Sequence, residues 1–550
     1  MQAMPEQLQS IASRPSSDAC PVHFVAEHST MQLEPVVSCT TNAGSEQAPV
    51  TAESATSTPS RSRSAAIIFS ITCITGISNL LAGLLTVCIP VIATDLGIES
   101  GLQLWPASAF ALACGCTLLL CATAADLLGC RRVCLLGATL QAGSALGAGL
   151  SKTPTQLIAL RAFAGVAASM CLPSAAGIVS STFPHSTRPR TRTAAFSAMG
   201  GGQAVGFGLG LALGGLFSGT VGWRWGFHAT AILNVLVLVI ALWSLPISVD
   251  DAAPLGRDTA IRLRKELDWL GALIISTSLA FLSYVLAVVT DSDASNHMRQ
   301  PLNIVFLGTG LALMPVHMFW MHHQKLQGRP ALIPNELWQS KPFTSVCITV
   351  FLVWGALNAS EQLTALYLQD VREFSTLTSS LYFLPAPVCG ILTNVAVAVF
   401  LPRLKAPYAV PVGCLVSGLA PLLLAALCRV QGPSYWGAIF QAMAINPIGA
   451  DLMYTIAMLV VTDAFPSKTQ ALAGGVFNMV AQIGKSVGIA TTAIIAQQVS
   501  SPLLKSVDAR EALLRGYHAG WWYNCGLSLI SVVVSLWGLR SVGRLGVKRD

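Results

Sequence analysis

Charged side chains seldom sit inside long apolar runs, yet this chain places Arg161 in "LIALRAFAGVAASM" and Lys485 in "VAQIGKSVGIA". A guanidinium in hydrocarbon is costly, so Arg161 should face a protein interior or a watery crevice. It stays charged at any ordinary pH, so it can set a field for a proton carrier but cannot release the proton itself. Two carboxylates could do that work: Glu361 in "LNASEQLTALYL" and Asp451 in "INPIGADLMYT". A carboxyl removed from water favours its neutral form, which suits a group that loads and unloads protons. Arg161, Asp451 and Glu361 therefore form a candidate proton-coupling set. Each has a plainer reading. Arg161 could be tied to backbone carbonyls, Glu361 could reach water at a rim, and Asp451 could pair with Lys485.

Neutral polar residues recur in the same kind of apolar context. Asn79, Gln203, Asn358, Gln362, Asn446, Tyr454, Asn478 and Gln482 are candidates for lining a mixed polar and apolar substrate cavity, with Asn394 beside them. Some of them could simply join helices, at about 0.6 kcal/mol per bond. Other patterns carry no chemistry. "IGKS" ends like a phosphate-binding loop, but that pattern needs glycine where Met479 stands. "NAS" at 358–360 is a sequon in letters only, because it lies at membrane depth. His317, His322 and His323 lack a partner motif, and the fifteen cysteines show no metal or disulfide spacing. No metal site and no catalytic constellation is read.

The elements that must hold these residues are membrane-spanning helices. The chain is 53% hydrophobic and 10% charged, against about 25% charged for soluble domains. A span needs about 20 apolar residues. Such runs recur at 66–91, 104–125, 133–150, 157–181, 194–217, 225–246, 267–289, 302–321, 344–368, 377–401, 409–427, 435–461, 471–497 and 519–539. The reading is an all-α polytopic membrane protein of fourteen spans. Twenty-two lysines and arginines fall on the side that carries both termini and eight on the other. The richer side should be cytosolic. The net charge of +7 is thus loop asymmetry rather than a nucleic-acid footprint.

The sequence repeats weakly. "STFPHSTRPRTRTAAFSAMGGGQAVGFGLG" after the fourth span and "TDAFPSKTQALAGGVFNMVAQIGKSVGIA" after the twelfth share Phe-Pro, a short polar loop and a glycine-bearing helix. Two related bundles are a transporter trait. The domains expected are a disordered cytosolic tail (1–64), an N-terminal bundle (65–246), a linker with two inserted central helices (247–343), a C-terminal bundle (344–541) and a short basic tail (542–550). Gly202, Gly206, Gly210 and Gly214 recur every four residues and make one bare helix face for close packing.

Three stretches carry a family resemblance. "AADLLGCRRVCLL" resembles the loop signature of the major facilitator superfamily, matching at Asp126, Gly129 and Arg131 and departing at Ala122, Leu127 and Cys130. "LIALRAFAG" resembles the fourth-span signature of proton-coupled members through Leu157, Arg161 and Gly165, with Ala164 in place of a common glutamine. "GFGLGLALGG" resembles the fifth-span antiporter signature through Gly206, Gly210, Gly214 and Gly215, with Leu211 where proline is usual. "GWRWGFH" looks like the Trp-Arg-x-x-Phe stretch that commonly follows. With fourteen spans, the chain resembles the drug:proton antiporter branch, in particular fungal aminotriazole-resistance-like and secondary-metabolite exporters.

The resemblance implies a major facilitator fold, two six-helix bundles around a central path, and no enzymatic activity. It implies a small-molecule cargo, a secreted metabolite such as a toxin or glycolipid, exchanged for protons. It implies a gating loop in which Asp126 caps a helix N-terminus, with Gly129 and Arg131. No cofactor is expected beyond the proton gradient, and the protein is expected to work as a monomer in the plasma membrane. Uptake by symport is the alternative, and a membrane-embedded transferase is the remaining one.

Overall fold

The computed structural model describes residues 60–99, 102–183, 188–250, 261, 268–289, 300–329, 331–400, 405–464, 467–504 and 506–540. The basic tail 542–550 and most of the N-terminal tail lie outside them, as do most of the linker residues between 251 and 267. The regular structure of the described residues is helical. The N-terminal half holds α1 (Arg61–Leu96), α2 (Trp105–Leu128), α3 (Cys130–Leu150), α4 (Pro154–Thr182), α5 (Pro189–Gly219) and α6 (Trp223–Ser244). The inserted pair is α7 (Trp269–Val289) and α8 (Pro301–Leu326). The C-terminal half holds α9 (Lys341–Leu366), α10 (Thr376–Phe383), α11 (Pro385–Phe400), α12 (Ala406–Leu427), α13 (Ile439–Ala464), α14 (Ser467–Leu503) and α15 (Ala509–Gly538).

The apolar runs lie on helices, and thirteen described helical segments, α10 and α11 counted together, are long and apolar enough to cross a bilayer. The fourteenth run is α7, whose described apolar stretch is Trp269–Leu282. Local signals set the ends. Ser60 Oγ accepts from Arg63 N at 3.3 Å, so α1 begins at Arg61 and takes in residues 61–64, which the hydropathy boundary leaves in the tail. Gly97 closes α1 at φ +65°, a conformation that suits glycine. Thr153 and Ser375 cap α4 and α10, and Asp508 starts α15 well before its apolar run. The span at 377–401 is divided into α10 and α11 at Pro385, which has no N–H to continue a helical ladder.

The two halves are built alike. In the first, α1 packs on α5, α2 on α4, α3 on α4, α3 on α6 and α1 on α6. In the second, α9 packs on α14, α11 on α13, α12 on α13, α12 on α15 and α9 on α15. These are the same five pairings with every span moved on by eight. The seam between halves follows the same rule: α2 packs on α14, and α5 on α10 and α11. The inserted pair α7 and α8 packs together, with α7 against α2 and α14. Outward faces are apolar: Trp243 is 93% exposed and Phe319 71%, a surface that suits lipid rather than water.

The α1–α5 crossing shows why the glycine repeat exists. A Cβ at Gly206 would lie 2.3 Å from Gly76 O, and one at Gly210 would lie 1.9 Å from Leu80 O. Gly202 and Gly214 meet α1 at Thr72 and Val87. Gly215 turns the other way and meets Ser380 of α10, so one glycine of the run serves the seam instead. The equivalent crossing in the second half uses Gly355 of α9 against Gly484 and Gly488 of α14. Without a hydrophobic drive between helices in lipid, such close backbone approach is a main source of association.

Candidate functional site

Arg161 is held by α4 at its crossing with α2. One turn later Gly165 brings α4 so close that a Cβ there would sit 2.3 Å from Phe110 O. That approach turns the guanidinium into the seam. Arg161 is 2% exposed, its Nε donates to Pro106 O at 3.4 Å, and its Cζ lies 4.6 Å from the centre of the Phe110 ring. Its Nη1 is buried with no hydrogen-bond partner. A desolvated cation–π contact contributes about 2 kcal/mol, short of the several kcal/mol lost by removing a charge from water.

Arg161 lines a narrow cavity between the halves. Glu361 and Gln362 of α9, Asn358 one turn before them, and Lys485 of α14 line it with Arg161, while Phe110 and Phe207 supply aromatic walls. Three charged side chains, far apart in sequence, thus face one space. Among the described residues no ion pair joins any two of them. Lys485 is positioned by its neighbours: Gly484 permits the approach to Phe351 of α9, and Ser486 Oγ lies 2.8 Å from Ser108 Oγ of α2. Glu361 is 8% exposed, buried in the cavity wall. The structure places Lys485 in the cavity with Arg161 and Glu361 rather than in a pair with Asp451, and its signal in the sequence is the one it shares with Arg161, a charge inside an apolar run.

Asp451 stands apart. It is half-buried on α13, accepts from Asn394 Nδ2 at 3.1 Å, and is not among the residues that line the cavity. No ion pair with Lys485 forms among the described residues. The neutral candidates divide in the same way. Gln362 Nε2 donates to Thr86 Oγ1 of α1 at 2.8 Å, joining the halves, and Asn358 Nδ2 donates to Trp354 O at 2.8 Å. Asn79 donates to Gln203 at 3.2 Å and ties α1 to α5. Tyr454 donates to Asn478, stacks on Trp354 at 4.6 Å and fastens α13 to α14. Asn446 is 1% exposed with both amide atoms unpartnered, and Gln482 Oε1 is buried without a donor.

The loop between α2 and α3 is held from further along the chain. Asp126 is exposed on the last turns of α2 and does not cap α3. The carboxylate at that N-terminus is Asp250, 2% exposed, from the 3-10 turn Ile247–Asp250 after α6. Its Oδ1 accepts from Arg131 N at 3.0 Å and its Oδ2 lies 3.6 Å from Arg132 Nε. Gly129 has φ +98°, and a Cβ on it would come within 2.3 Å of that carboxylate. Arg131 then donates to Leu245 O and Leu242 O at the end of α6. Asp250 sits 124 positions after Asp126, so nothing local in the sequence announces it. On the opposite side of the bundle, Trp223 and Arg224 both donate to Asp95, fixing α6 to α1.

Comparison with known proteins agrees with this architecture. Residues 71–489 match the profile of the Major Facilitator Superfamily. The chain is 35% identical to "MFS-type transporter 1" of Pyricularia oryzae, over 88% of this chain and 85% of that one. It is 23% identical to the "Aminotriazole resistance protein" of Saccharomyces cerevisiae, over 81% and 78% of the two chains. A bacterial homologue of the human lysosomal transporter Spinster, solved in an inward-facing state, superposes with a TM-score of 0.60 at 14% identity, covering 88% of this chain and 98% of that one. The match spans both halves of the repeat, and the chain is a polytopic membrane transporter, not an enzyme. It belongs to the Major Facilitator Superfamily.

Proposed function

We propose that the protein is a proton-coupled efflux transporter, exporting a small amphipathic organic compound by alternating access. The observation that carries this reading is the cavity between the halves, where Arg161, Glu361 and Lys485 face one space. Two similar halves that rock about a central site expose it to each side in turn. Glu361 or Asp451 carries the proton, and Arg161 sets the field that either carboxylate feels. The similarity to a protein named for aminotriazole resistance supports export. The cargo is a secreted secondary metabolite, such as a toxin or glycolipid. The protein works as a monomer in the plasma membrane with both termini cytosolic. It uses no cofactor beyond the proton gradient and binds no nucleic acid. A proton moving inward down 100 mV releases about 2.3 kcal/mol, and a one-unit pH difference adds about 1.4 kcal/mol. One proton per cycle sustains an outward cargo gradient of several hundredfold on those magnitudes.

The test is reconstitution in proteoliposomes with a panel of amphipathic compounds and a pH-sensitive dye in the lumen. Protons and cargo should cross in opposite directions, each flux requiring the other. Parallel flow would convert the reading to symport, and cargo flux indifferent to an imposed pH difference would remove proton coupling.

A further inference from the structure

The charge balance of the cavity is lopsided. Its described lining holds two cations, Arg161 and Lys485, and a single carboxylate, Glu361. Of the neutral amides around them, Gln362 donates to Thr86 and keeps its Oε1 without a partner, and Asn358 donates to its own helix. Arg161 Nη1 is buried without an acceptor, and among the described residues Lys485 forms no ion pair. Excess positive charge shielded from water is unfavourable unless a counter-charge arrives. A guanidinium and an ammonium facing one space are the donors that hold an oxyanion through charge-assisted hydrogen bonds.

We infer that the cargo is an organic acid carried as its anion. Its oxyanion group sits between Arg161 and Lys485 and its apolar body lies against Phe110 and Phe207. Lys485 is the residue that sets this preference. Glu361 is the resident counter-charge, which shares the two cations with the cargo and weakens its hold. This deepens the export reading and rests on it for the word cargo, but the site is a property of binding alone. An inside-negative potential drives an anion outward, which agrees with export.

The experiment uses the full chain in lipid nanodiscs at one neutral pH with no gradient. The probes are phenylbutyrate, phenylbutanol and phenylbutylamine, which share one body and differ in charge. Binding is read by titration calorimetry. The acid should bind about tenfold more tightly than the alcohol, the scale of one hydrogen bond to a charged group, and the amine most weakly. Lys485→Gln should erase that preference, Lys485→Arg should keep it, and Glu361→Gln should tighten the acid but not the alcohol. Equal binding of acid and alcohol, stronger binding of the amine, or no binding of any probe overturns the proposal. So does a folded Lys485→Gln that still prefers the acid. Should Lys485→Gln not fold, the Glu361→Gln arm decides. A failure of proton-driven exchange in proteoliposomes would leave these binding outcomes untouched, so the two readings fall separately.

Discussion

At the scale of single residues, Arg161 separates stability from function. Its guanidinium is buried over Phe110 with one nitrogen unpartnered, and an apolar side chain of similar length removes the cost of keeping that charge out of water. Arg161→Met is therefore expected to hold or raise the unfolding temperature in nanodiscs while transport in proteoliposomes is lost. A variant that unfolds early would mean that Arg161 is there for structure. The two carboxylates can be told apart by charge counting. With an anionic cargo, a proton on Glu361 would bind alongside the cargo rather than against it, so exchange asks for the proton to sit elsewhere. Asp451, outside the cavity and held by Asn394, is the remaining candidate. A one-unit pH step should concentrate cargo about tenfold per proton exchanged. Asp451→Asn is expected to abolish that concentration while keeping gradient-free counterflow, and Glu361→Gln to retain it. The reverse pattern would return the proton to Glu361.

At the scale of helices, the α1–α5 crossing is a contact of backbones. The Cβ of Gly210→Ala would fall 1.9 Å from Leu80 O, and a backbone atom cannot swing aside. Overpacking of that kind costs about 1–3 kcal/mol, so the unfolding temperature should drop and the helix pair should loosen. Gly201→Ala, on the same helix with nothing within 4 Å, should be neutral or slightly stabilising, by up to about 1 kcal/mol. Thermal unfolding of the two variants in one lipid makes the comparison, and equal effects would mean that helix propensity rather than contact decides. This crossing was legible beforehand, because a four-residue glycine spacing defines a helix face whatever lies opposite. The cap on α3 was not. Asp126 is adjacent in sequence, but Asp250 accepts from Arg131 N, because the end of α6 folds back beside α3.

At the scale of the whole molecule, the two halves touch through particular pairs. Gln362 reaches Thr86, and Gln369 Nε2 donates to Val87 O at 2.8 Å. Both links lie toward the end where α1 finishes, so alternating access requires them to part. In a background cleared of native cysteines, Thr86→Cys with Gln362→Cys, oxidised across the gap, should stop transport, and a reductant should restore it. Transport that survives complete cross-linking would mean that this seam stays shut throughout the cycle, which a rocking motion does not allow. The shared pattern of helix pairings in the two halves predicts a rigid-body motion in which each half keeps its own glycine crossing intact.

Hydropathy, turn residues and loop charge act over one helix length or less, so the sequence alone determined the membrane helices, the repeat between halves, the bare glycine face and the presence of charges at depth. It could not say which charges meet. Arg161, Glu361 and Lys485 come from three helices in two halves, and their meeting in one cavity depends on which helices cross at Gly165, beside Arg161, and at Gly484, beside Lys485. Asp451 looked as promising by composition as Glu361, and only its placement on α13, turned toward Asn394, sets it apart. Tertiary structure decided the site because an unpaired charge is defined by what surrounds it, and those surroundings are assembled from residues hundreds of positions apart.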